Sequence, residues 1–92
     1  MTVYQAEWCP FSSKLRQRLT ELGLGWCAAP VEADPPDRDA MREATGTDII
    51  PAVILEDGTV LAGETEEIIA ALDDRFQEPP TAEGHKIAAA MH

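Results

Sequence analysis

A cysteine followed by proline stands where a predicted strand gives way to a predicted helix. The segment is Cys9-Pro10-Phe11-Ser12. At the N-terminus of a helix the first backbone N–H groups have no partner, and the helix dipole favours an anion. A thiol in that position has its pKa lowered from about 8.5 toward neutrality, and the Ser12 hydroxyl can donate to the thiolate. Cys9 is therefore predicted to be a reactive thiol, the alternative being a buried structural cysteine.

Charged residues near this segment act in both directions. Three of the seven basic residues of the chain, Lys14, Arg16 and Arg18, follow Cys9 closely. Lys14 is the nearest in sequence, but five residues do not make a single turn, so we expect only a modest effect on the thiol. The negative charge of Glu7, two residues before Cys9, opposes ionisation of the thiol.

A proline precedes the most strand-like segment of the chain, at Ile50-Pro51. Taken alone it is an ordinary residue at a strand start, since only about 5% of such bonds are cis in folded proteins. Cys9 changes this interpretation, because a cis bond at Pro51 would leave the backbone groups of Ile50 free to pair with a ligand. An extended, peptide-like thiol would then bind to them as an added strand.

Glu64 and Thr65 open the last helix of the predicted fold. A helix N-terminus binds carboxylates through its free N–H groups. The Thr65 hydroxyl can add a further contact, and Glu64 can accept an ammonium group. The pair suits an amino-acid end such as the γ-glutamyl group of glutathione, the alternative being plain N-capping with acidic residues in the first turn.

Hydrophobic periodicity and turn residues predict the order β-α-β-α-β-β-α, hence an α/β fold. The strands are expected at 2–5, 25–31, 52–56 and 59–61, and the helices at 10–23, 34–44 and 64–76. A parallel β-α-β unit joined to a hairpin gives a four-stranded mixed sheet flanked by helices on both faces. We expect one domain over 1–78 and a tail over 79–92 that could form one or two helical turns or fray.

Composition narrows the class of protein. The 92 residues carry a net charge of −10, which disfavours nucleic acid and anionic membranes as partners. Two cysteines make no disulfide framework, and the two histidines, His85 and His92, lie far from Cys9, so no metal site is expected. No signal peptide or membrane span is recognised, and a cytoplasmic protein is expected.

The Cys-Pro-Phe-Ser segment, Ile50-Pro51 and Gly63-Glu64-Thr65, in this order, resemble the glutaredoxins and the N-terminal domain of glutathione transferases. The first segment with the basic residues after it is most similar to omega-class transferases and chloride intracellular channel proteins. The resemblance extends from about Thr2 to Phe76 and implies a thioredoxin-like fold.

The resemblance also implies a function, single-cysteine thiol–disulfide exchange. Cys9 would be the nucleophile that forms a mixed disulfide with glutathione or another low-molecular-weight thiol such as mycothiol. The thiol-binding residues would be Pro10, Phe11, Ser12, Ile50, Pro51, Glu64 and Thr65. No tightly bound cofactor is expected. The expected partners are the small thiol and its disulfides or glutathionylated substrates, and a monomer is expected rather than a dimer.

Some positions depart from these families. Ser12 replaces the second cysteine of dithiol glutaredoxins, and Ala6 and Glu7 stand where a basic residue often precedes the motif. Pro10 argues against iron–sulfur transfer, since cluster-carrying monothiol glutaredoxins have glycine there. The helical second domain of transferases is not recognised, so full transferase activity is not expected.

These departures leave two alternatives open, a non-catalytic module that binds a thiol or a protein, and a domain with a relict site. Cys27 also has two interpretations, a small apolar residue of the second strand or a resolving cysteine. Because it starts that strand, we expect it at the opposite end of the sheet from Cys9.

Overall fold

A computed structural model describes all 92 residues as a four-stranded sheet with four α-helices and one 3₁₀ turn. The elements are β1 (Thr2–Tyr4), α1 (Pro10–Glu21), β2 (Cys27–Ala29), the 3₁₀ turn (Pro35–Asp37), α2 (Asp39–Thr45), β3 (Ala52–Ile54), β4 (Val60–Leu61), α3 (Thr65–Arg75) and α4 (Ala82–Met91). Up to α3 this is the predicted order. No helix is both long enough and apolar enough to cross a membrane.

The sheet has the strand order β2-β1-β3-β4. β1 is parallel to β2 and antiparallel to β3, and β4 returns antiparallel to β3, which confirms the predicted mixed sheet. In the β1–β2 pair Thr2 lies beside Cys27, at the end where β1 begins. Cys9 follows the other end of β1. The register therefore confirms that the two cysteines lie at opposite ends of the sheet, and both thiols are free.

The main core lies between the sheet and the helices α1 and α3, which pack against each other. Val3 of β1 stands opposite Val53 of β3. The core cluster consists of Val3, Leu15, Leu19, Leu22, Val53, Leu55, Ile68 and Leu72. Ala52, the neighbour of Val53 in β3, faces the other side of the sheet. There α2 packs against β3 and buries Met41.

The β3–β4 hairpin turns at the predicted Asp57-Gly58 step. The Gly58 N–H donates to the Leu55 carbonyl at 2.9 Å, and Gly58 has a φ of 88°. Such a left-handed residue after a tight turn is the usual exit from a three-residue hairpin loop, and glycine adopts it without steric cost.

Most predicted bounds differ from the structure by one or two residues at one end or both, and β2 and the second predicted helix differ most. β2 covers only Cys27–Ala29 rather than 25–31. It begins at Cys27, beside Thr2 at the start of β1, and it ends before Pro30, which has no N–H to continue the ladder. The helix predicted over 34–44 is divided at Arg38, whose φ of −87° and ψ of 53° are not helical. The break coincides with hydrogen bonds from the Arg38 side chain to the preceding loop.

The tail forms a longer helix than the one or two turns expected. α4 has ten residues, packs against α1 and buries Ala82. Its alanine-rich sequence has high intrinsic helix propensity. Glu78 joins the two helices, since its carboxylate lies 2.6 Å from Lys86 of α4 and 2.6 Å from Arg18 of α1.

Candidate functional site

Cys9 is the N-cap residue of α1, with an extended backbone at φ −82° and ψ 120°. Its carbonyl accepts the Ser13 N–H at 3.0 Å, which closes the first turn. Pro10 takes the first helical position, where its missing N–H leaves nothing unpaired. The predicted position of the thiol at a helix start is confirmed, while its reactivity stays a prediction, since only 6% of Cys9 is exposed.

The surroundings of Cys9 favour its thiolate. Burial alone raises the pKa of the thiol, because it penalises the charged form. The Ser12 hydroxyl, the N–H groups of Ser12 and Phe11 and the charge of Arg16 favour the thiolate and outweigh that penalty, although the Cys9 side chain forms no capping hydrogen bond within normal distance. The pKa of Cys9 therefore lies below its usual value.

Ser12 is completely buried and is held by a second contact. Its Oγ accepts the Ala6 N–H at 3.3 Å. With one lone pair engaged by this backbone donor, the hydroxyl proton is free to point at the Cys9 sulfur. Ser12 thus links the loop before the motif to the thiolate.

Among the cations of α1, Arg16 favours the thiolate of Cys9, and Lys14, from which only a modest effect is expected, is not among the groups that shift the pKa of the thiol. Lys14 forms an ion pair with Glu66 of α3, and Arg18 is bound to Asp73 and other acidic side chains. Seven residues span about two turns, so Arg16 returns to the face of α1 on which Cys9 lies, whereas five residues place Lys14 well away from it.

Arg16 is itself held beside Cys9. Its guanidinium donates to the side chain of the buried Gln5, and it lies 3.4 Å from the Glu7 carboxylate. Glu7 therefore offsets part of the positive charge, as its sequence position suggests.

The Ile50–Pro51 peptide bond is cis, as the resemblance implies. Pro51 is completely buried at the start of β3. The backbone N–H and C=O of Ile50 form no hydrogen bond within the chain. Both groups are therefore available to a ligand.

A pocket of about 180 Å³ brings together four of the predicted site residues, Phe11, Ile50, Glu64 and Thr65. Ile49 and Gly63 complete its lining. The pocket thus joins the first turn of α1, the loop before β3 and the start of α3. Cys9 is not part of this lining but stands two residues before Phe11, while Ser12 and Pro51 are buried and Pro10 is exposed.

The start of α3 presents unpaired donors next to this pocket. Glu64 is the N-cap residue, but its side chain forms no capping hydrogen bond, which weakens the plain N-capping interpretation. The N–H groups of Thr65 and Glu66 bond to no group of the chain, and Thr65 is buried. Gly63, with a φ of 106°, makes the turn into the helix where another residue would be strained.

Sequence reasoning missed part of the site. Ile49 is an exposed apolar side chain, 64% accessible, beside the equally exposed Phe11, at 61%. Ile49 stands directly before Ile50-Pro51 in the sequence, but an isoleucine there is typical of the start of a strand, so it was assigned no role in the site. Trp8, next to Cys9, is 67% exposed.

Comparisons with known proteins agree with this fold. The model of the glutathione S-transferase N-terminal domain matches residues 8–75. Among solved structures, a glutathione S-transferase domain-containing protein from Marinobacter aquaeolei VT8 is 26% identical, with a TM-score of 0.69, over 86% of this chain and 40% of that one. Among curated protein sequences none matches significantly.

Two further structures share the fold at lower identity. Glutathione S-transferase 1-6 from Anopheles dirus species B is 22% identical, with a TM-score of 0.73, over 88% of this chain and 38% of that one. A glutathione transferase homologue from Sulfitobacter, solved with bound glutathione, is 20% identical, with a TM-score of 0.69, over 89% of this chain and 38% of that one.

The chain spans about two fifths of the length of these structures. The family model, in contrast, covers most of the chain, including the cysteine segment, the proline loop and the start of α3. The chain therefore belongs to the family of glutathione S-transferase N-terminal domains.

Proposed function

We propose that the protein performs single-cysteine thiol–disulfide exchange with a low-molecular-weight thiol, glutathione or mycothiol, in a glutaredoxin-like way. The observation that carries the proposal is the environment of Cys9, a thiolate stabilised at a helix N-terminus by Ser12, Phe11 and Arg16. A structural cysteine would need none of these donors. The reducing conditions of the cytoplasm would keep such a thiol free.

The exchange takes place in two displacements. The Cys9 thiolate attacks the glutathione sulfur of a mixed disulfide, so the substrate leaves as a thiolate and Cys9 forms a disulfide with glutathione. A second glutathione thiolate then attacks the glutathione sulfur of that adduct. Cys9 leaves as a thiolate, and glutathione disulfide is the oxidised product. Because Ser12 stands where a resolving cysteine would be, the second thiol must come from solution.

The pocket supports a thiol with an extended backbone and an amino-acid end. The free N–H and C=O of Ile50 would pair with the peptide of the bound cysteinyl residue. The unpaired N–H groups at the start of α3 would bind a carboxylate, with the Thr65 hydroxyl beside them. The Glu64 carboxylate, also in the pocket lining, would accept the ammonium group.

The charge of the protein works against an anionic thiol at long range. The net charge is −10, and Lys14, Arg16 and Arg18 each pair with acidic side chains. The helix α1 therefore supplies little free positive charge to attract glutathione. An uncharged thiol such as mycothiol would meet no such repulsion, but it has no amino-acid end for the start of α3 and Glu64 to bind, so the pocket favours glutathione and the net charge favours mycothiol.

The alternative function is binding without turnover, and the low exposure of Cys9 favours it. An assay of β-hydroxyethyl disulfide reduction in the presence of glutathione or mycothiol separates the two. Turnover that Cys9→Ser abolishes and Cys27→Ser preserves supports exchange. An adduct without turnover supports a binding module. If the protein forms no adduct and shows no turnover, both proposed functions are refuted.

A further inference from the structure

Arg38 is a charged side chain in the interior, with only 3% of the residue exposed. It has no carboxylate within ion-pair distance. A buried guanidinium is unfavourable unless its N–H groups are bonded, so its partners indicate what it is for.

All the partners of Arg38 are backbone carbonyls. Nε donates to Glu32 at 2.7 Å and Nη2 donates to Ala33 at 2.9 Å, both in the loop after β2. Nη1 donates to the carbonyl of Asp48 at 2.8 Å. The rigid fork of one guanidinium therefore joins the loop after β2 to the loop before β3.

A second arginine holds the same residue from its other side. Arg42, one helical turn after Arg38, donates to the Asp48 carboxylate at 2.9 Å and to the carbonyls of Pro35 and Pro36. Asp48 is thus held by its carbonyl and by its side chain, two residues before Ile50.

The loop beyond Asp48 has few other contacts. The Ile49 N–H donates to the Thr47 hydroxyl at 3.2 Å, and Ile50 makes no hydrogen bond. Between Thr47 and Pro51, Asp48 is the one residue that hydrogen bonds tie to other elements, so it constrains the Ile50 backbone from one side while the buried Pro51 constrains it from the other.

We propose that Arg38 is a positioning residue that fixes the Ile50 backbone for thiol binding. The inference rests on the proposed function, in which that backbone pairs with the bound thiol. Arg38 acts through Asp48 and does not touch the reacting sulfur. Its loss should therefore weaken the Cys9–glutathione adduct without changing the ionisation of Cys9, which depends on Ser12, Phe11 and Arg16.

The test compares Arg38→Met, which keeps the aliphatic stem and removes the donors, with Arg38→Lys, which keeps the charge. Leu22→Ala, in the core at the far end of α1, is the control for loss of stability. Three properties are measured: the equilibrium of each variant with glutathione disulfide, the pH midpoint of thiolate absorbance, and the NMR signal of the Ile50 amide.

We expect Arg38→Met to lower the adduct equilibrium constant roughly tenfold relative to Leu22→Ala, about the effect of weakening the two neutral backbone hydrogen bonds that Ile50 would form with the thiol. The thiolate midpoint should stay at its wild-type value, and the Ile50 signal should shift. Arg38→Lys should be intermediate, because one ammonium cannot reach both loops in the same geometry.

An unchanged adduct equilibrium with an unchanged Ile50 signal in Arg38→Met would overturn the inference. If Arg38→Met does not fold, Arg38→Lys is judged by the same two criteria. If wild-type protein forms no adduct, the proposed function fails. The Ile50 signal then decides alone, a shift beyond that of Leu22→Ala supporting the positioning role and no shift refuting it.

Discussion

Replacing Ser12 by alanine removes the side-chain donor to the Cys9 thiolate with almost no change in shape. A hydrogen bond to a charged group contributes about 1.5–3 kcal/mol, so the ionisation equilibrium of the thiol should move toward the neutral form roughly tenfold to a hundredfold. The Ala6 N–H, bonded to Ser12 at 3.3 Å, also loses its acceptor. Because this N–H is only partly buried, its loss should cost less folding free energy than the roughly 1–3 kcal/mol of a fully buried donor.

The midpoint of thiolate absorbance against pH measures the first effect directly. Alkylation rates are a weaker measure, because a thiolate of higher pKa is intrinsically more nucleophilic and recovers about half of the loss. The matched control is Ser13→Ala, since Ser13 is exposed and its side chain bonds to nothing. A midpoint in Ser12→Ala equal to that in Ser13→Ala would refute the role of the hydroxyl.

The same hydrogen bond makes folding stability depend on pH. Because the pKa of Cys9 is lower in the folded protein than in the unfolded chain, the stabilisation is complete above the unfolded pKa of about 8.5. It is lost as the pH falls through the folded pKa. The stability difference between wild type and Ser12→Ala, measured by denaturant unfolding, should therefore be larger at alkaline than at acid pH. A difference that grows toward acid pH would contradict this sign.

Three further predictions concern the charges and the pocket. Arg16→Gln should raise the pKa of Cys9 by removing the one cation that favours the thiolate, whereas Lys14→Gln should leave the thiolate midpoint in place; equal effects in the two titrations would mean that Arg16 has no special position. Thr65→Val, which keeps the shape and removes the hydroxyl, should weaken the adduct with glutathione roughly threefold to tenfold, and an unchanged equilibrium constant would remove Thr65 from the site. Added salt should speed the reaction of Cys9 with anionic glutathione disulfide and leave its reaction with the uncharged β-hydroxyethyl disulfide unchanged; a rate that falls with salt would reveal a local positive field.

The element order and the place of Cys9 could be predicted from sequence because both depend on local signals. Proline after cysteine, the Asp57-Gly58 turn and the apolar spacing of α1 and α3 each report on a few neighbouring residues. The importance of Arg16 over Lys14 was also within reach, since helical geometry alone distinguishes seven residues from five.

The rest depends on contacts between distant parts of the chain. Nothing in the sequence near Arg38 reveals that its guanidinium binds the loop after β2 and the loop before β3 at once. For the same reason the break between the 3₁₀ turn and α2 was not foreseen. The docking of α4 likewise depends on Glu78 meeting both Arg18 and Lys86 in space.

The most direct test of the central claim is the intact mass of the protein after exposure to glutathione disulfide or mycothiol disulfide at neutral pH. Wild type and Cys27→Ser should each gain one thiol moiety, and Cys9→Ser should gain none at that position. No adduct on wild type with either disulfide would contradict the account of Cys9 as a stabilised thiolate. An adduct that collapses to an internal disulfide in wild type but persists in Cys27→Ser would contradict the placement of Cys27 beyond the reach of Cys9.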